Sequence, residues 1–278
     1  MDAGENQIIL IDKPAGISSF GVVAKVRGYL RAKYGKKVKV GHTGTLDPFA
    51  TGLLILLTGK MTKRSGEFLK LDKVYEATLR LGYTSTTGDP EGEITKYIPT
   101  NDESGGVISK HCKGANSHFD NGHGRVSGTE IPGRVRLTRC ENDDCEPCTS
   151  RNGTPDLSTI KSVLRPFTGK IEQTPPRYSA IKINGQRAYK LARKGADFEM
   201  PTREVEIYDI ETLEYRYPEL RVRCHVSSGT YIRTLAEDIG KALNTGAYLT
   251  ALRRTQIANY KVADATPLST FAQNPDVV

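Results

Sequence analysis

The sequence predicts helices packed on a mixed or antiparallel β-sheet, and three observations lead to this expectation. Apolar and polar residues alternate in segments from both ends of the chain: VYEATLRLG (74–82), VEIYDIETLEY (205–215) and ELRVRCHV (219–226). Two other segments have the apolar spacing of amphipathic helices. Strands and helices do not alternate regularly, which argues against a parallel sheet built from β-α-β units.

The first predicted elements are a strand, QIILID (7–12), and a helix within SSFGVVAKVRGYLRAKYG (18–35). Ser18 or Ser19 is the expected N-cap, and Gly35 is the expected end of the helix. Its apolar residues share one face, so the helix should lie on the sheet with three cations near solvent, namely Lys25, Arg27 and Lys33.

Two further elements are predicted from apolar spacing. LLILLTG (53–59) is short, apolar and bounded by glycines, as a buried strand would be. GTYIRTLAEDIGKAL (229–243) has the spacing of a helix, which begins after a serine-glycine turn.

Net charge, the N-terminal residues and the number of cysteines indicate the kind of partner and the cellular location to expect. The chain has 278 residues and a formal net charge of +8, which suits one large or two small domains and favours a polyanionic partner, although many proteins are mildly basic without one. The N-terminal residues lack the charged and apolar regions of a secretory signal, so a cytoplasmic location is expected. Five cysteines, an odd number, argue against a disulfide framework.

The segment GHTGTLDPFATGLL (41–54) places a single carboxylate, Asp47, among three glycines and a proline. Taken alone, this pattern is typical of an aspartate that orders a turn. GLLILLTGKM (52–61) does not have the spacing of a phosphate-binding Walker A loop, and the chain contains no G-x-S-x-G nucleophile motif.

Six segments in the same order resemble the TruB family of pseudouridine synthases. They are IDKPAGISSF (11–20), GHTGTLDPFATGLL (41–54), VYEATLRLG (74–82), IEQTPPRYSAIKINGQRAYKLARKG (171–195), SSGTYIRTLAEDIG (227–240) and GAYLTALRRT (246–255). The resemblance implies an α+β pseudouridine synthase fold, with a central, mainly antiparallel sheet flanked by helices and a thumb-like RNA-binding insertion. It also implies an enzyme that isomerises the uridine at position 55, in the T-loop of tRNA.

The resemblance further implies a set of catalytic and pocket residues. Asp47 matches the catalytic aspartate, Arg233 the arginine that pairs with it, and Tyr75 the tyrosine that stacks on the target base. A paired guanidinium should hold the carboxylate ionised and lower its pKa. Three other residues match positions near the flipped nucleotide: His42, Tyr231 and Leu252. Read without the family, Tyr75 and Leu252 would be core residues, and His42 would satisfy loop hydrogen bonds.

The expected RNA grip is a thumb segment, residues 171–200, in which cations alternate with aromatic rings. Its candidate binding residues are Arg177, Tyr178, Lys182, Arg187, Tyr189, Lys190, Arg193 and Lys194. Phosphate neutralisation combined with stacking suits an exposed RNA loop, whereas the alternative is an ordinary solvated basic face.

The chain departs from the family in two respects. Many bacterial members continue into a PUA domain, which is not expected here. Residues 101–153 are polar and rich in Cys and His, and they are expected as an insertion between catalytic residues 1–100 and 154–278. Within it Cys140, Cys145 and Cys148 have spacings compatible with a structural zinc, completed by Cys112 or by His111, His118 or His123.

The family reaction uses no metal or cofactor, so none is expected for catalysis. The expected partner is the T-arm of tRNA, with no membrane, no obligatory protein partner and a monomeric state. Two alternatives stay open at this point: a guide-RNA-dependent synthase resembling dyskerin, and a tRNA folding factor that has lost catalysis. The route by which the aspartate acts also stays open between attack at C1′, addition at C6 and proton abstraction from the sugar.

Overall fold

The computed structural model describes residues 6–99 and 154–273, in which one large sheet dominates. The strands in this part of the chain are β1 (Ile8–Lys13), β2 (Val40–His42), β3 (Thr51–Thr58), β4 (Lys73–Leu81), β5 (Tyr83–Ser85), β6 (Ile94–Lys96), β7 (Gly169–Gln173), β8 (Lys182–Ile183), β9 (Gln186–Arg187), β10 (Arg203–Arg216), β11 (Glu219–Val226), β12 (Ala247–Ile257), β13 (Tyr260–Lys261) and β14 (Thr266–Pro267).

The helices in the same residues are α1 (Ser19–Tyr34), α2 (Ser65–Leu69), α3 (Leu157–Leu164), α4 (Ala188–Arg193), α5 (Ile232–Ala242) and α6 (Leu268–Gln273). Short 3₁₀ turns at Gly59–Arg64, Arg165–Phe167 and Val262–Asp264 complete the regular structure. Over the described ranges, no helix combines the length and the apolar character needed to cross a bilayer.

The main sheet has the strand order β14-β1-β3-β12-β4-β11-β10-β7, with β2 beside β3 and β13 beside β12. Two neighbouring pairs, β1–β14 and β3–β12, are parallel, and the other pairs are antiparallel. This arrangement confirms the predicted α+β class with a mixed, mainly antiparallel central sheet. Two separate hairpins, β5–β6 and β8–β9, lie outside it.

Helix α1 forms as its sequence predicts. The Ser18 side chain accepts a hydrogen bond from the Gly21 amide at 3.0 Å, and Gly35 ends the helix in the left-handed conformation with φ of 65°. Val22, Val26 and Leu30 are buried in one cluster with residues of β1 and β3. On the other half of the sheet, α5 buries its apolar face in a second cluster with residues of β4 and β11.

Strand β12 joins the two halves of the sheet. It runs antiparallel to β4 over most of its length, but it pairs with β3 at only two positions, Arg253 with Thr51 and Arg254 with Gly52. At this contact Gly52 has φ of +101°, and a Cβ there would lie 2.3 Å from the Arg254 carbonyl oxygen. The close approach of the two strands therefore requires glycine at position 52.

We expect Gly52→Ala to lower the free energy of unfolding by about 2–4 kcal/mol, because the new methyl group would displace β12 and the residue would keep an unfavourable φ. Urea denaturation followed by circular dichroism measures this change.

Gly28→Ala is the matched control, because Gly28 is exposed in α1 and a Cβ there meets nothing within 4 Å. This substitution should stabilise the protein by about 0.5–1 kcal/mol. Equal effects of the two substitutions would show that the contact between β3 and β12 does not constrain the fold.

Candidate active site

Asp47 lies in the loop between β2 and β3, and its side chain is 32% exposed. Two anchors hold the part of the loop that precedes it. The Ser19 hydroxyl, in the first turn of α1, accepts from the Leu46 amide at 2.8 Å and donates to the Leu46 carbonyl at 2.9 Å. The fully buried Arg254 of β12 donates to the Gly44 carbonyl at 3.2 Å. The position of the carboxylate is thus set by α1 and β12 together.

Lys13, at the end of β1, is a third anchor. Its fully buried ammonium group donates to the carbonyl oxygens of Pro14, Ile17 and Pro48 at 2.9, 2.7 and 3.1 Å. Burial lowers the pKa of Lys13 to about 8, and the negative charge of Asp47 opposes this shift. A cation therefore lies directly beneath the segment that carries Asp47.

Arg233, in the first turn of α5, pairs with Asp47. Its Nε lies 3.1 Å from one carboxylate oxygen, and its Nη2 donates to the other at 3.5 Å. The guanidinium also contacts Asp89, with Nη1 3.0 Å from Oδ2. The carbonyls of Thr87 and Tyr178 accept from it at 3.0 and 2.9 Å. One buried arginine therefore joins Asp47, the loop after β5 and the start of the thumb segment.

Arg233 lowers the pKa of Asp47, as expected, but the net direction of the pKa shift is upward. Burial raises the pKa of the Asp47 carboxyl above its ordinary value, and the neighbouring charge of Asp89 raises it further. Arg233 and Lys13 act in the opposite direction but do not outweigh burial. The sequence indicated the partner but not the extent of desolvation.

Asp89 is a site residue that the sequence reasoning missed. It is 2% exposed, and its carboxylate accepts from the Thr87 hydroxyl and the Glu91 amide as well as from Arg233. The available signal was local: Asp89, like Asp47, is followed by proline and lies close to glycines. Such a pattern is typical of a turn, and only the contact with Arg233 separates this aspartate from an ordinary turn residue.

A cleft of about 740 Å³ opens beside the Asp47 loop. Its walls include Phe49, Glu91 and Leu252, together with residues of β4, β11 and the segment after β1. The Gly16 amide, in that segment, donates to the Pro48 carbonyl at 2.8 Å. The cleft lies where β12 extends past its short pairing with β3, so loops from both halves of the sheet line it.

Tyr75 and His42 lie close to this loop. Tyr75 on β4 is 7% exposed and belongs to the buried cluster that contains Leu46 and Leu252. His42 ends β2, and its Nδ1 is buried without a hydrogen-bond partner in the described residues. Burial, and then the charges of Arg254 and Arg187, lower the pKa of His42, so its ring is neutral at pH 7.

Two sequence-predicted site residues lie elsewhere. The ring centroid of Tyr231 is 5.0 Å from the Arg203 guanidinium, and its backbone is hydrogen-bonded to the Gln173 side chain. Arg177 folds back on the thumb, where its guanidinium lies 4.6 Å from the Phe198 ring centroid and donates to the Ala196 carbonyl. The structure does not bring these two side chains to the cleft.

Beyond the end of β7, the regular structure of the thumb segment consists of the β8–β9 hairpin and α4. Lys182 and Arg187 are paired across the hairpin and are both exposed. On α4, Arg193 lies 5.7 Å from the Tyr189 ring centroid. Tyr178 is exposed, and its carbonyl accepts from Arg233. Lys190 and Lys194 are exposed as well. These side chains form a basic surface with aromatic rings, anchored to the same arginine that holds Asp47.

The predicted zinc ligands, Cys112, Cys140, Cys145 and Cys148, lie outside the described residues, as do His111, His118 and His123. Within residues 6–99 and 154–273, no group of three or more His, Cys, Asp or Glu side chains could hold a metal ion.

Known protein families and individual relatives match most of the chain. A family model described as "TruB family pseudouridylate synthase (N terminal domain)" matches residues 31–134 and 134–232. A second model, described as "tRNA pseudouridylate synthase B C-terminal domain", matches residues 233–275. A protein of Phocaeicola vulgatus named tRNA pseudouridine synthase B is 38% identical, over 98% of this chain and 94% of its own length. Its namesake in Bacteroides thetaiotaomicron is 39% identical, over 95% and 90% of the two chains.

Solved structures show a similar fold. A chain of "Crystal Structure of a Cbf5-Nop10-Gar1 Complex" matches 97% of this chain with a TM-score of 0.58 and 24% identity. A chain of "Structure of H/ACA RNP bound to a substrate RNA containing 2'-deoxyuridine" also matches 97%, with a TM-score of 0.56 and 22% identity. The present chain spans 54% and 53% of those two chains, and the likeness is one of fold.

We expect Arg233→Gln to lower the free energy of unfolding by about 3–5 kcal/mol, because it leaves the buried Asp89 carboxylate without its partner. Adding Asp89→Asn should recover part of this loss, so the two effects are less than additive in a double-mutant cycle.

The exposed pair Arg64–Glu67, whose atoms are 2.7 Å apart, provides the control cycle. Its coupling energy should not exceed about 0.5 kcal/mol. A coupling between Arg233 and Asp89 as small as this would contradict the structural role assigned to the buried pair.

Proposed function

Because the chain belongs to the TruB family of pseudouridine synthases, we propose that it converts the uridine at position 55, in the T-loop of tRNA, to pseudouridine. It acts on the tRNA directly, without a guide RNA. The relatives named tRNA pseudouridine synthase B support tRNA as the substrate. The contact of Asp47 with the buried Arg233, beside a cleft of about 740 Å³, is the observation that carries the proposal.

The reaction requires a fixed carboxylate rather than a metal or a redox group. The N1–C1′ glycosidic bond breaks and a C5–C1′ bond forms, while a proton leaves C5 and N1 gains one, so the atoms balance without a cofactor. The carboxylate of Asp47 attacks C1′, adds to C6 of the base or removes a proton from the sugar. Each of these roles requires its ionised form.

The surroundings of Asp47 suit that chemistry. Arg233 and Lys13 favour the ionised carboxylate, while burial raises its pKa. A carboxylate with a raised pKa is the stronger base and nucleophile once it is ionised. The hydrogen bonds to Arg233 orient the two oxygens, so little reorganisation accompanies the reaction.

Other side chains position the nucleotide. A T-loop uridine is stacked within folded tRNA, so it must be extruded before its C1′ can reach Asp47. Tyr75 stacks on the extruded base, and Leu252 forms an apolar wall of the cleft. The neutral ring of His42 fills the space left in the RNA. The thumb cations neutralise phosphates near the loop, while Tyr178 and Tyr189 offer stacking surfaces.

Asp47→Asn should abolish pseudouridine formation on an unmodified tRNA transcript while leaving tRNA binding intact. The amide keeps the size of the side chain but removes the reactive charge. Pseudouridine mapping of the product, without added metal, nucleotide or guide RNA, measures the reaction, and filter binding measures affinity.

Asp264→Asn provides the control, because Asp264 is exposed in a turn between β13 and β14. This variant should react as the wild type does. Product formed by Asp47→Asn would refute the assignment of Asp47. Binding without product in the wild type would favour the folding-factor alternative.

The single-turnover rate should depend on pH on both sides of neutrality. On the acid side it falls as Asp47 is protonated, at a pH above the ordinary aspartate pKa of 3.8 because burial raises the pKa. On the alkaline side it falls near pH 8, since Lys13 then loses its positive charge beside Asp47 and keeps only two donor protons for its three carbonyl partners, of which Pro48 belongs to the Asp47 loop.

Lys13→Met should react more slowly at every pH and lose the alkaline decline. Lys73→Met should retain the decline: burial lowers the pKa of Lys73 to about 8 as well, but its ammonium group binds the Leu69 and Leu71 carbonyls rather than the Asp47 loop. A decline near pH 8 that survives Lys13→Met would contradict this role of Lys13.

A further inference from the structure

One continuous segment of the sequence accounts for the net charge of the whole chain. No acidic residue occurs between Asp12 and Asp47. The same stretch contains eight cations: Lys13, Lys25, Arg27, Arg31, Lys33, Lys36, Lys37 and Lys39. The remainder of the chain has equal numbers of acidic and basic residues, so the excess of cations in this segment equals the formal charge of +8. A strong positive potential is therefore expected over α1 and the turn that follows it.

Except for Lys13, these cations lie at the surface. Arg27 is partly exposed and the other six are exposed. Across residues 6–99 and 154–273, no carboxylate forms an ion pair with Lys25, Arg27, Arg31, Lys37 or Lys39. An ordinary solvated helix face mixes the two signs, as α5 does with its pair of Lys241 and Asp238. The charged residues of α1 itself are all cations.

The exposed side of α1 also presents an aromatic ring. Phe20 is 65% exposed, and the Arg27 guanidinium lies 5.9 Å from its ring centroid. Phe20, Ala24, Arg27 and Arg31 recur at intervals of four, three and four residues, so they form one line along roughly 16 Å of the helix. Because the side chain of Ala24 is small, it leaves the surface between Phe20 and Arg27 accessible to a ligand. A ring followed by two cations is suited to a base and its neighbouring phosphates.

This surface lies beside the catalytic loop. Ser19, the residue before Phe20, makes the two hydrogen bonds to Leu46, and Leu46 is the neighbour of Asp47. Helix α1 also packs against β2, which ends in His42. The thumb leaves the opposite end of the sheet, and its Tyr178 carbonyl accepts a hydrogen bond from Arg233, the partner of Asp47. Two basic segments, α1 and the thumb, are therefore attached to the Asp47–Arg233 pair, one through Leu46 and the other through Arg233.

We propose that α1 and the turn after it form a second RNA-binding surface, which takes the phosphate backbone on the side of the target nucleotide away from the thumb. Phe20 stacks on an unpaired base or ribose there, and Arg27 and Arg31 bind the phosphates that follow. This inference rests on the proposed function, because it takes the same RNA as the occupant.

The structure favours RNA over an anionic membrane as the occupant. A helix that binds in a membrane interface inserts its apolar face among the lipids. The apolar face of α1, with Val22, Val26 and Leu30, is already buried against the sheet. What remains exposed is a row of cations and one ring, next to a residue that holds the reactive loop.

The test compares RNA affinities over a series of salt concentrations, using the full chain and an unmodified T-arm stem-loop. Arg27→Gln/Arg31→Gln should raise the Kd about 5- to 20-fold near 0.1 M salt, and it should reduce the slope of log K against log salt by about 1.4–1.8, as loss of two phosphate contacts requires. Phe20→Ala should raise the Kd about 5- to 10-fold with little change in slope, because stacking involves no counterion release.

Lys161→Gln/Arg165→Gln is the matched control. Lys161 lies in α3 and Arg165 directly follows it, so these two exposed cations are also four residues apart. Neither of them lines the cleft or belongs to the thumb segment. The control should bind and react as the wild type does. Circular dichroism melting of every variant separates lost contacts from lost folding.

Equal salt slopes for the α1 variant and the α3 control would overturn the proposal. So would loss of binding to phosphatidylserine vesicles with unchanged RNA affinity. Both outcomes concern α1 alone, provided that the wild type forms pseudouridine. A wild type that forms none would instead refute the proposed function, which distinguishes the two failures.

Discussion

The site depends on the compensation of one buried charge, the guanidinium of Arg233. This group is 5% exposed, and a cation removed from water must be matched by acceptors around it. Two carboxylates and two carbonyls provide them, from the Asp47 loop, from the loop after β5 and from the first residues of the thumb. The Asp47 loop, the loop after β5 and the start of the thumb segment are thereby held in one arrangement, because moving any of them would leave the arginine unsatisfied.

Two other buried cations reinforce the same loop in a different way. Lys13 and Arg254 bind backbone carbonyls rather than carboxylates. Their hydrogen-bond partners are thus neutral carbonyls, and their charges act on Asp47 and His42 through the low-dielectric interior. Two opposing effects act on the pKa of Asp47. Burial raises the pKa, whereas the neighbouring positive charges favour the ionised carboxylate and lower it.

The topology brings basic segments from both ends of the sheet to the Asp47–Arg233 pair. Helix α1 packs at the β1–β3 end of the sheet, and the thumb leaves the sheet at the β7–β10 end. Ser19 of α1 is hydrogen-bonded directly to Leu46 of the Asp47 loop, whereas the thumb reaches the loop through Arg233, which donates to the Tyr178 carbonyl and pairs with Asp47. An RNA loop presented to Asp47 would meet cations from both ends of the sheet, which constrains its orientation as well as its affinity.

The sequence by itself determined the strands and helices that bury one face and expose the other, because their buried residues recur at a regular spacing. Alternation predicted β4, β10 and β11, and apolar spacing with glycine and serine caps predicted α1, because such patterns report which side of a local segment faces the core. The family resemblance indicated Asp47 and Arg233 as partners. Strand β12 was not predicted from its own pattern, since AYLTALRRTQI places a buried arginine among apolar residues, and the partners of that arginine lie about 200 residues away.

Only the tertiary structure decided how the reactive group is surrounded. Asp47 and Arg233 are 186 residues apart, and Asp89 joins them from a third segment. The same chain folding that creates the ion pair also buries it, so the pKa of Asp47 moves in the direction set by desolvation rather than by its partner. Residue types and their spacing are local properties that a sequence records directly. Burial and electric field are sums over the whole fold, and they exist only once its distant segments have come together.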